Sequence, residues 1–249
     1  MSVMMSFPLP SVTAFGDSVM KGVVLLNSGC KNLPRYSVLA DNFARRCADK
    51  LHLHIENHSK FGCTVRYGLD TVKRHEAEIA QSDYVVFEYG GNDCDYNWRE
   101  IAANPNEVHL PRTSLDEFTT LYREMISFVK EKGSCPVLLS LPVLDDVRFF
   151  KYVSQGVNGD NILAWLGGTT HTICNWHEVY NLQVFRLGYE MHVPVVDITT
   201  PFLRQHDYRD YICEDGMHPN EKGHALIAAT VEEFFSTSLT GEKEDQKQN

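Results

Sequence analysis

Short apolar runs alternate along the chain with longer segments in which apolar residues recur every three or four positions. The runs have the length and composition of buried strands, and they predict strands at Val12–Phe15, His54–His58, Tyr84–Tyr89, Pro136–Leu141 and Val193–Ile198. Strands that alternate with helical segments are typical of βαβ units, in which the strands lie parallel. The pattern therefore predicts an α/β fold with a parallel sheet.

The segments between the runs carry helix signals. Apolar residues at helical steps predict a helix over about Tyr36–Lys50. A capping box that begins at Ser114 precedes a long apolar stripe, which predicts another helix. Pro219 marks the start of a C-terminal helix over about Asn220–Phe235. The charged tail from about residue 239 has nothing to bury, so we expect it to be disordered.

The connection between the fourth and fifth predicted strands is much longer than one crossover helix requires. Its second half, from about residue 175 to 191, has the helical period of that crossover. Its first half, about residues 144–172, is interpreted as an insertion rich in aromatic residues. Such residues could contact a ligand, form a small core or meet another subunit. Trp165, Trp176 and His177 are the candidate substrate-binding residues.

Composition and charge narrow the class of protein. The chain has 249 residues, of which 43% are hydrophobic and 22% charged, and this length suits one α/β domain over residues 1–249. The net charge of −10 disfavours phosphate-rich partners, so we expect no nucleic acid and no membrane surface as partner. Neither a secretory signal nor an apolar run of about 20 residues is found. We therefore expect a cytoplasmic protein, although a secreted chain whose signal had been removed would look the same.

No metal site is predicted. The seven cysteines contain no CxxC pair, and no His/Cys cluster has the spacing of a zinc site. His52, His54 and His58 alternate along a predicted strand and could share one face. Because no carboxylate or thiol pattern accompanies them in the sequence, we predict no metal there either.

Four short motifs carry candidate chemistry. In chain order they are Gly16-Asp17-Ser18, then Gly62, then Gly90-Gly91-Asn92-Asp93, and finally Asp215-Gly216-Met217-His218. The first three follow predicted strands, and the last precedes the C-terminal helix. Because the carboxyl ends of parallel strands meet at one edge of a sheet, we expect all four motifs to lie close together.

The motifs contain the groups that acyl transfer needs. A serine becomes a good nucleophile when an imidazole takes its proton, and a carboxylate must orient that imidazole. Ser18, His218 and Asp215 can supply these groups. The Asn92 amide and the Gly62 backbone N–H can donate to an oxyanion. Each motif alone could be a turn or a helix cap, but together they predict an acyl-transfer site.

The ordered motifs resemble those of the SGNH hydrolases, also called the GDSL esterase/lipase family, from Val12 to about Phe235. The resemblance implies a three-layer α/β/α fold with a five-stranded parallel sheet, similar to flavodoxin. It also implies ester hydrolysis through an acyl-enzyme, with neither a metal nor an organic cofactor.

The resemblance assigns roles to individual residues. It implies that Ser18 is the nucleophile and an oxyanion donor, and that Gly62 and Asn92 complete the oxyanion hole. It makes His218 the base, oriented by Asp215. We expect a small-molecule ester as substrate, with an acetyl group on a carbohydrate or another small ester favoured. The alternatives are a lysophospholipase- or thioesterase-like acyl hydrolase and a non-catalytic ligand-binding module on the same fold. The oligomeric state stays open.

Overall fold

The computed structural model describes residues 9–26 and 35–245. The strands of this part of the chain are β1 Ser11–Gly16, β2 Val23–Leu26, β3 Arg35–Val38, β4 His54–Asn57, β5 Tyr84–Glu88, β6 Cys135–Leu139 and β7 Val195–Val196. The helices are α1 Ser18–Lys21, α2 Phe43–Leu51, α3 Val65–Arg74, α4 Glu76–Ile79, α5 Trp98–Ala103, α6 Leu115–Glu131, α7 Asp146–Val153, α8 Gly159–Trp165, α9 His171–Met191, α10 Thr199–Leu203 and α11 Glu221–Asp245. A 3₁₀ turn covers Tyr208–Tyr211.

Five strands form one parallel sheet in the order β4-β1-β5-β6-β7, while β2 and β3 form a separate antiparallel pair. The winding of the chain reverses between β1 and β5, as in flavodoxin, and such a reversal opens a crevice at the carboxyl ends of the strands. The predicted fold class is confirmed, and the crevice lies where β1 and β5 end.

Alternating side chains of the strands form two cores, one on each face of the sheet. On one face Phe15, Phe87 and Leu138 pack with residues of α3, α6 and α9. On the other face Ala14 and Val86 pack with residues of α2 and α11. This division follows from the two-residue period of a strand, which sends neighbouring side chains to opposite faces. Within the described residues, no helix is long and apolar enough to cross a membrane.

Several predicted elements differ from the observed ones. The helix predicted from Tyr36 begins only at Phe43, because Asn42 caps it by accepting a hydrogen bond from the Arg45 amide, and Tyr36 itself lies in β3. The strand predicted over Val193–Ile198 shortens to β7. The helices α3 and α5 had no counterpart among the predicted elements.

Two helices also begin or end at residues other than the predicted ones. The crossover helix predicted from about residue 175 already begins at His171. The tail predicted to be disordered from about residue 239 is helical as far as Asp245. Extension of an existing helix gains one hydrogen bond for each residue that it orders, so a helix can run past its last buried residue. The helix predicted after Ser114 is observed, and the Ser114 hydroxyl accepts from the Glu117 amide at 3.4 Å.

The insertion forms α7 and α8 and packs against α5. Together they form a third hydrophobic cluster, whose buried members are Trp98, Ile101, Ala102, Phe149, Ile162, Leu166 and Ile173. The insertion thus forms a small core, which is one of the three roles that the sequence leaves open for it. This cluster lies beside the crevice and forms part of its wall.

Candidate active site

Ser18 follows β1 in a tight turn at the floor of the crevice. The Asp17 carboxylate caps α1 by accepting the Val19 amide at 2.8 Å, and Ser18 is the first residue of that short helix. Gly16 makes the turn possible, because a Cβ there would lie 2.5 Å from the Met20 Cβ and 2.8 Å from the Glu88 carbonyl oxygen. The serine hydroxyl is thereby held at the carboxyl end of the sheet, with only 6% of the residue exposed.

A continuous hydrogen-bonded chain connects Ser18, His218 and Asp215. The Ser18 Oγ lies 2.8 Å from the His218 Nε2, and the His218 Nδ1 lies 2.7 Å from the Asp215 Oδ2. Because a carboxylate only accepts, the proton of the neutral imidazole is on Nδ1, and the Nε2 lone pair faces the serine hydroxyl. The three residues that the sequence singles out are therefore brought together in the arrangement of a nucleophile, its base and the group that orients the base.

The loop that carries Asp215 and His218 is closed by its own backbone. Ile212 and Pro219 pair as an isolated bridge, and the Cys213 amide donates to the His218 carbonyl at 2.8 Å. The loop backbone also holds the Asp215 carboxylate in position, because the amides of Met217 and His218 both donate to its Oδ1 at 3.1 Å. Burial raises the pKa of Asp215, but these bonds and the imidazole outweigh it, and the pKa lies below its usual value. The carboxylate is thus held ionised.

Gly216 is the point at which this loop contacts the insertion. Its φ is +78°, and a Cβ would lie 2.4 Å from the Phe149 amide nitrogen and 2.6 Å from the Asp145 carbonyl oxygen. The Asp145 amide donates to the Gly216 carbonyl at 2.8 Å. The first helix of the insertion is therefore packed directly on the loop of Asp215 and His218, and only glycine fits at the contact.

Two aromatic rings flank the imidazole of His218. The Tyr36 ring centroid lies 5.2 Å from that of His218, and the Phe61 ring is stacked on His218 at 5.9 Å with an interplanar angle of 17°. The faces of aromatic rings attract a cation, so the two rings can stabilise the imidazolium that forms when His218 takes a proton.

The oxyanion candidates are connected through Arg112. Its guanidinium donates to the Asn92 side-chain oxygen at 3.3 Å and to the Gly62 carbonyl at 3.2 Å. The Asn92 amide nitrogen donates one hydrogen to the Asp17 Oδ2 at 2.7 Å, which leaves its second hydrogen for an oxyanion. Gly62 lines the same pocket with a φ of +71°, in the left-handed region that favours glycine.

A buried pair of carboxyl groups, Asp17 and Glu88, lies next to Ser18. Asp17 and Glu88 are 2% and 1% exposed. Burial and the neighbouring Asp17 charge raise the pKa of Glu88 well above its usual value, and burial also raises the pKa of Asp17. The Asp17 carboxylate accepts hydrogen bonds from the Val19 amide and from the Asn92 side chain.

The crevice is a pocket of about 270 Å³ that leads from Ser18 to an aromatic wall. The aromatic wall residues are Tyr36, Phe61, Tyr96, Trp98, Phe149, Tyr152, Trp176 and His177, and the aliphatic Ile173 lines the pocket beside them. Of the three predicted substrate-binding residues, Trp176 and His177 line this pocket. Trp165 is not among the residues that line it. Its ring packs behind the wall, 5.1 Å from both Tyr96 and Trp176.

Sequence reasoning missed four residues of this site. Tyr36 was assigned to a helix, and Phe61 and Arg112 lie in connections without a recognisable pattern. Glu88 did leave a signal, because it is an acidic residue within an otherwise apolar strand. A charge in a buried strand requires a partner, and it can therefore indicate a functional site.

A comparison with protein families decides where the chain belongs. The model of the GDSL-like Lipase/Acylhydrolase family matches residues 14–226. The chain belongs to this family. The match includes Ser18, Gly62, Asn92, Asp215 and His218, which the sequence analysis assigned to the family's motifs.

Solved structures support the fold of this GDSL-family protein. A lipase/acylhydrolase from Enterococcus faecalis has a TM-score of 0.63 and 16% identity, covering 92% of this chain and 97% of that one. An acetylxylan esterase from Geobacillus stearothermophilus has a TM-score of 0.57 and 18% identity, covering 89% and 92% of the two chains.

Among curated proteins, the chain is similar to the uncharacterized protein YpmR of Bacillus subtilis (strain 168). The two are 23% identical over 164 residues, which is 64% of this chain. The chain spans just over half of that relative, because the match covers 56% of its length.

Proposed function

We propose that the protein hydrolyses carboxylic esters through an acyl-enzyme on Ser18. The observation that carries this proposal is the hydrogen-bonded chain from the Ser18 Oγ through His218 to Asp215, with distances of 2.8 and 2.7 Å. Family membership supplies the reaction class, and the chain of hydrogen bonds supplies the means of activating the serine.

In the first half-reaction the Ser18 Oγ attacks the ester carbonyl carbon while His218 takes the hydroxyl proton on Nε2. The carbonyl π electrons move to its oxygen, which receives hydrogen bonds from the Ser18 and Gly62 amides and from the Asn92 side chain. The intermediate then collapses, the C–O bond to the alcohol breaks, and His218 gives its proton to the departing oxygen.

In the second half-reaction water replaces the alcohol. His218 takes a proton from the water as its oxygen attacks the acyl carbon, and the same donors hold the second oxyanion. Collapse breaks the bond to Ser18, whose oxygen regains its proton from His218. Asp215 stays ionised throughout, because its lowered pKa keeps it a carboxylate beside the imidazolium.

The pocket favours a small ester as substrate. Its volume of about 270 Å³ lies near the lower limit for ligand pockets, and rings such as Tyr96 and Trp176 cover its far end. An acetyl ester of a carbohydrate fits this size, since the apolar faces of a sugar can pack on such rings. A long acyl chain would have to leave the pocket. This observation favours a small-acyl esterase over a lysophospholipase- or thioesterase-like hydrolase.

Covalent labelling tests the nucleophile. A fluorophosphonate probe should label the wild type at Ser18, and Ser18→Ala should abolish both labelling and p-nitrophenyl acetate hydrolysis. Ser154→Ala is the matched control, because Ser154 lies in the insertion and does not line the pocket. If the folded wild type took up no probe, the site would be a ligand-binding module.

A substrate panel tests the size of the acyl group. We expect p-nitrophenyl esters to lose kcat/KM steadily from acetate to palmitate, and acetylated xylo-oligosaccharides to be deacetylated. A maximum at eight carbons or beyond would contradict the small-acyl assignment and support the longer-chain alternative.

A further inference from the structure

Two histidines and a glutamate from separate parts of the sequence meet outside the ester site. His58 follows β4, His75 ends α3 and Glu78 lies in α4. The potential ligand atoms of these three side chains lie within 4.8 Å of one another. The His58 Nε2 is 2.7 Å from the Glu78 Oε1, and the two imidazole centroids are 3.9 Å apart. We propose that this cluster binds a divalent transition-metal ion of the Zn²⁺ type.

The tautomer of His75 suits a ligand. Its Nδ1 lies 2.8 Å from the Thr71 carbonyl oxygen, which can only accept, so Nδ1 carries the hydrogen. The Nε2 of the neutral ring therefore carries the lone pair that a metal needs. Metal-binding histidines commonly donate their other N–H to a backbone carbonyl in this way, which sets both tautomer and ring orientation.

The other ligands are also held by their surroundings. The Thr13 hydroxyl donates to the Glu78 Oε1 at 3.2 Å, and the Phe15 ring packs against both imidazoles, at 5.4 Å from His58 and 5.9 Å from His75. These contacts with Thr13 and Phe15 limit the conformations that the three ligand side chains can adopt. A tetrahedral ion with ligand distances of about 2.0–2.1 Å requires donors about 3.3 Å apart, which lies within the range of separations from 2.7 to 4.8 Å seen in the cluster.

The donor set selects the class of ion. Two imidazoles and one carboxylate suit Zn²⁺, Co²⁺ and similar ions, whereas Mg²⁺ and Ca²⁺ prefer oxygen alone. The side chains of His58 and Glu78 are 22% and 33% exposed, so water can reach the ion and fill a fourth position. The sequence singles out His58 but predicts no metal there, since His75 and Glu78 become its neighbours only in the fold. None of them lines the ester pocket, so the proposal stands apart from the proposed function.

An ordinary surface pair on β4 provides an internal comparison. The His54 Nε2 lies 3.1 Å from the Glu56 Oε1, and both side chains are more than half exposed. Within the described residues, His54 and Glu56 do not belong to a group of three possible metal ligands, as His58, His75 and Glu78 do. Both places therefore have a histidine in contact with a carboxylate. The proposed site differs because His75 adds a third ligand.

Metal titration of the full-length protein tests the proposal. Metal-free wild type is titrated with Zn²⁺ by calorimetry and with Co²⁺ by visible absorption, which reports tetrahedral coordination. We expect one ion per chain, with binding at least tenfold weaker in His75→Gln and in Glu78→Gln. His54→Gln is the control and should change the affinity by less than twofold. His218→Ala should also keep the ion, which separates this site from the catalytic imidazole.

Two results would overturn the proposal. One is the absence of binding by wild type at millimolar metal, and the other is equal affinity in wild type and His75→Gln. The melting temperature supplies a second readout, because an ion that binds only the folded chain raises it. Zn²⁺ should raise it in wild type and His54→Gln but not in Glu78→Gln, whose side chain keeps the size of the original. An equal rise in Glu78→Gln would contradict the assignment of that ligand.

Discussion

Different interactions hold the side chains in place at the two ends of the pocket. At the catalytic end, Ser18, His218 and Asp215 are joined by hydrogen bonds of 2.7 and 2.8 Å. At the aromatic end, Tyr96 and Trp176 meet ring to ring, with centroids 4.7 Å apart. Hydrogen bonds depend steeply on distance and angle, whereas ring packing tolerates several geometries. The first end is suited to fix reacting atoms, and the second to adapt to the shape of a substrate.

The ends are nevertheless connected. The insertion contributes to the aromatic wall, and its first helix packs on Gly216, between Asp215 and His218. Removal of the insertion would therefore disturb the loop of Asp215 and His218 as well as the wall. Single substitutions are a sharper way than deletion to separate the two ends.

The largest effect is expected at the catalytic end from Asp215→Asn. The amide cannot act as the carboxylate that holds the proton on Nδ1 of His218, so the imidazole loses its orientation and the imidazolium its counter-charge. We expect kcat for p-nitrophenyl acetate to fall by roughly 10⁴-fold with little change in KM. Glu214→Gln, one residue earlier and exposed, should retain wild-type kcat. A loss of less than tenfold in Asp215→Asn would remove Asp215 from the proposed triad.

Asn92→Ala should have the next largest effect. It removes one proposed oxyanion donor and leaves the serine and its base in place. We expect kcat to fall by roughly 10²- to 10³-fold, again with little change in KM. Asn104→Ala, at an exposed helix end, serves as the control and should leave kcat unchanged. An unchanged kcat in Asn92→Ala would show that the side chain only supports Asp17.

The protein contains buried titratable groups with shifted pKa values, so its stability should depend on pH. Burial lowers the pKa of His224 from 6.5 to about 4. The unfolded chain therefore binds a proton between these values that the folded chain rejects. This contribution to stability is complete above about pH 6.5 and is lost as the pH falls towards 4, by about 3 kcal/mol in all.

Denaturation of matched variants isolates this contribution. Relative to His224→Leu, wild type should lose about 2 kcal/mol of unfolding free energy between pH 7 and pH 5. The exposed His206→Leu is the control and should follow wild type. The difference between variants is the informative quantity, because burial also raises the pKa of Asp93 to about 7, which acts in the opposite direction. A parallel response of His224→Leu and wild type would contradict the assigned shift.

The smallest effect is expected at the aromatic end. Trp176 lines the pocket and Trp165 packs behind it, so the two form a matched pair. Trp176→Leu should raise KM for an acetylated sugar by roughly tenfold, the equivalent of about 1.4 kcal/mol, with kcat changed less. Trp165→Leu should raise KM by a smaller factor. Equal effects would show that the wall acts as one packed unit and not through direct contact alone.

The sequence predicted most accurately where one local signal dominates. Ser114 caps its helix, and the three central strands β1, β5 and β6 are mostly buried runs whose apolar residues leave little alternative. The prediction from Tyr36 was wrong, because apolar spacing alone does not distinguish a short strand from the first turns of a helix. Asn42 is the observed cap of this helix. It marks the first residue of the helix only once the hydrogen bond that it accepts from the Arg45 amide is known.

By itself, the sequence determined the fold class, the order of the motifs and the edge of the sheet at which they meet. These follow from local periodicity and from the rule that parallel strands end together. Tertiary structure alone decided that Tyr36 and Phe61 flank His218, that Arg112 bridges Asn92 and Gly62, and that His58 meets His75 and Glu78. The physical reason is distance along the chain: contacts between remote segments depend on how whole layers pack, and no local pattern records that packing.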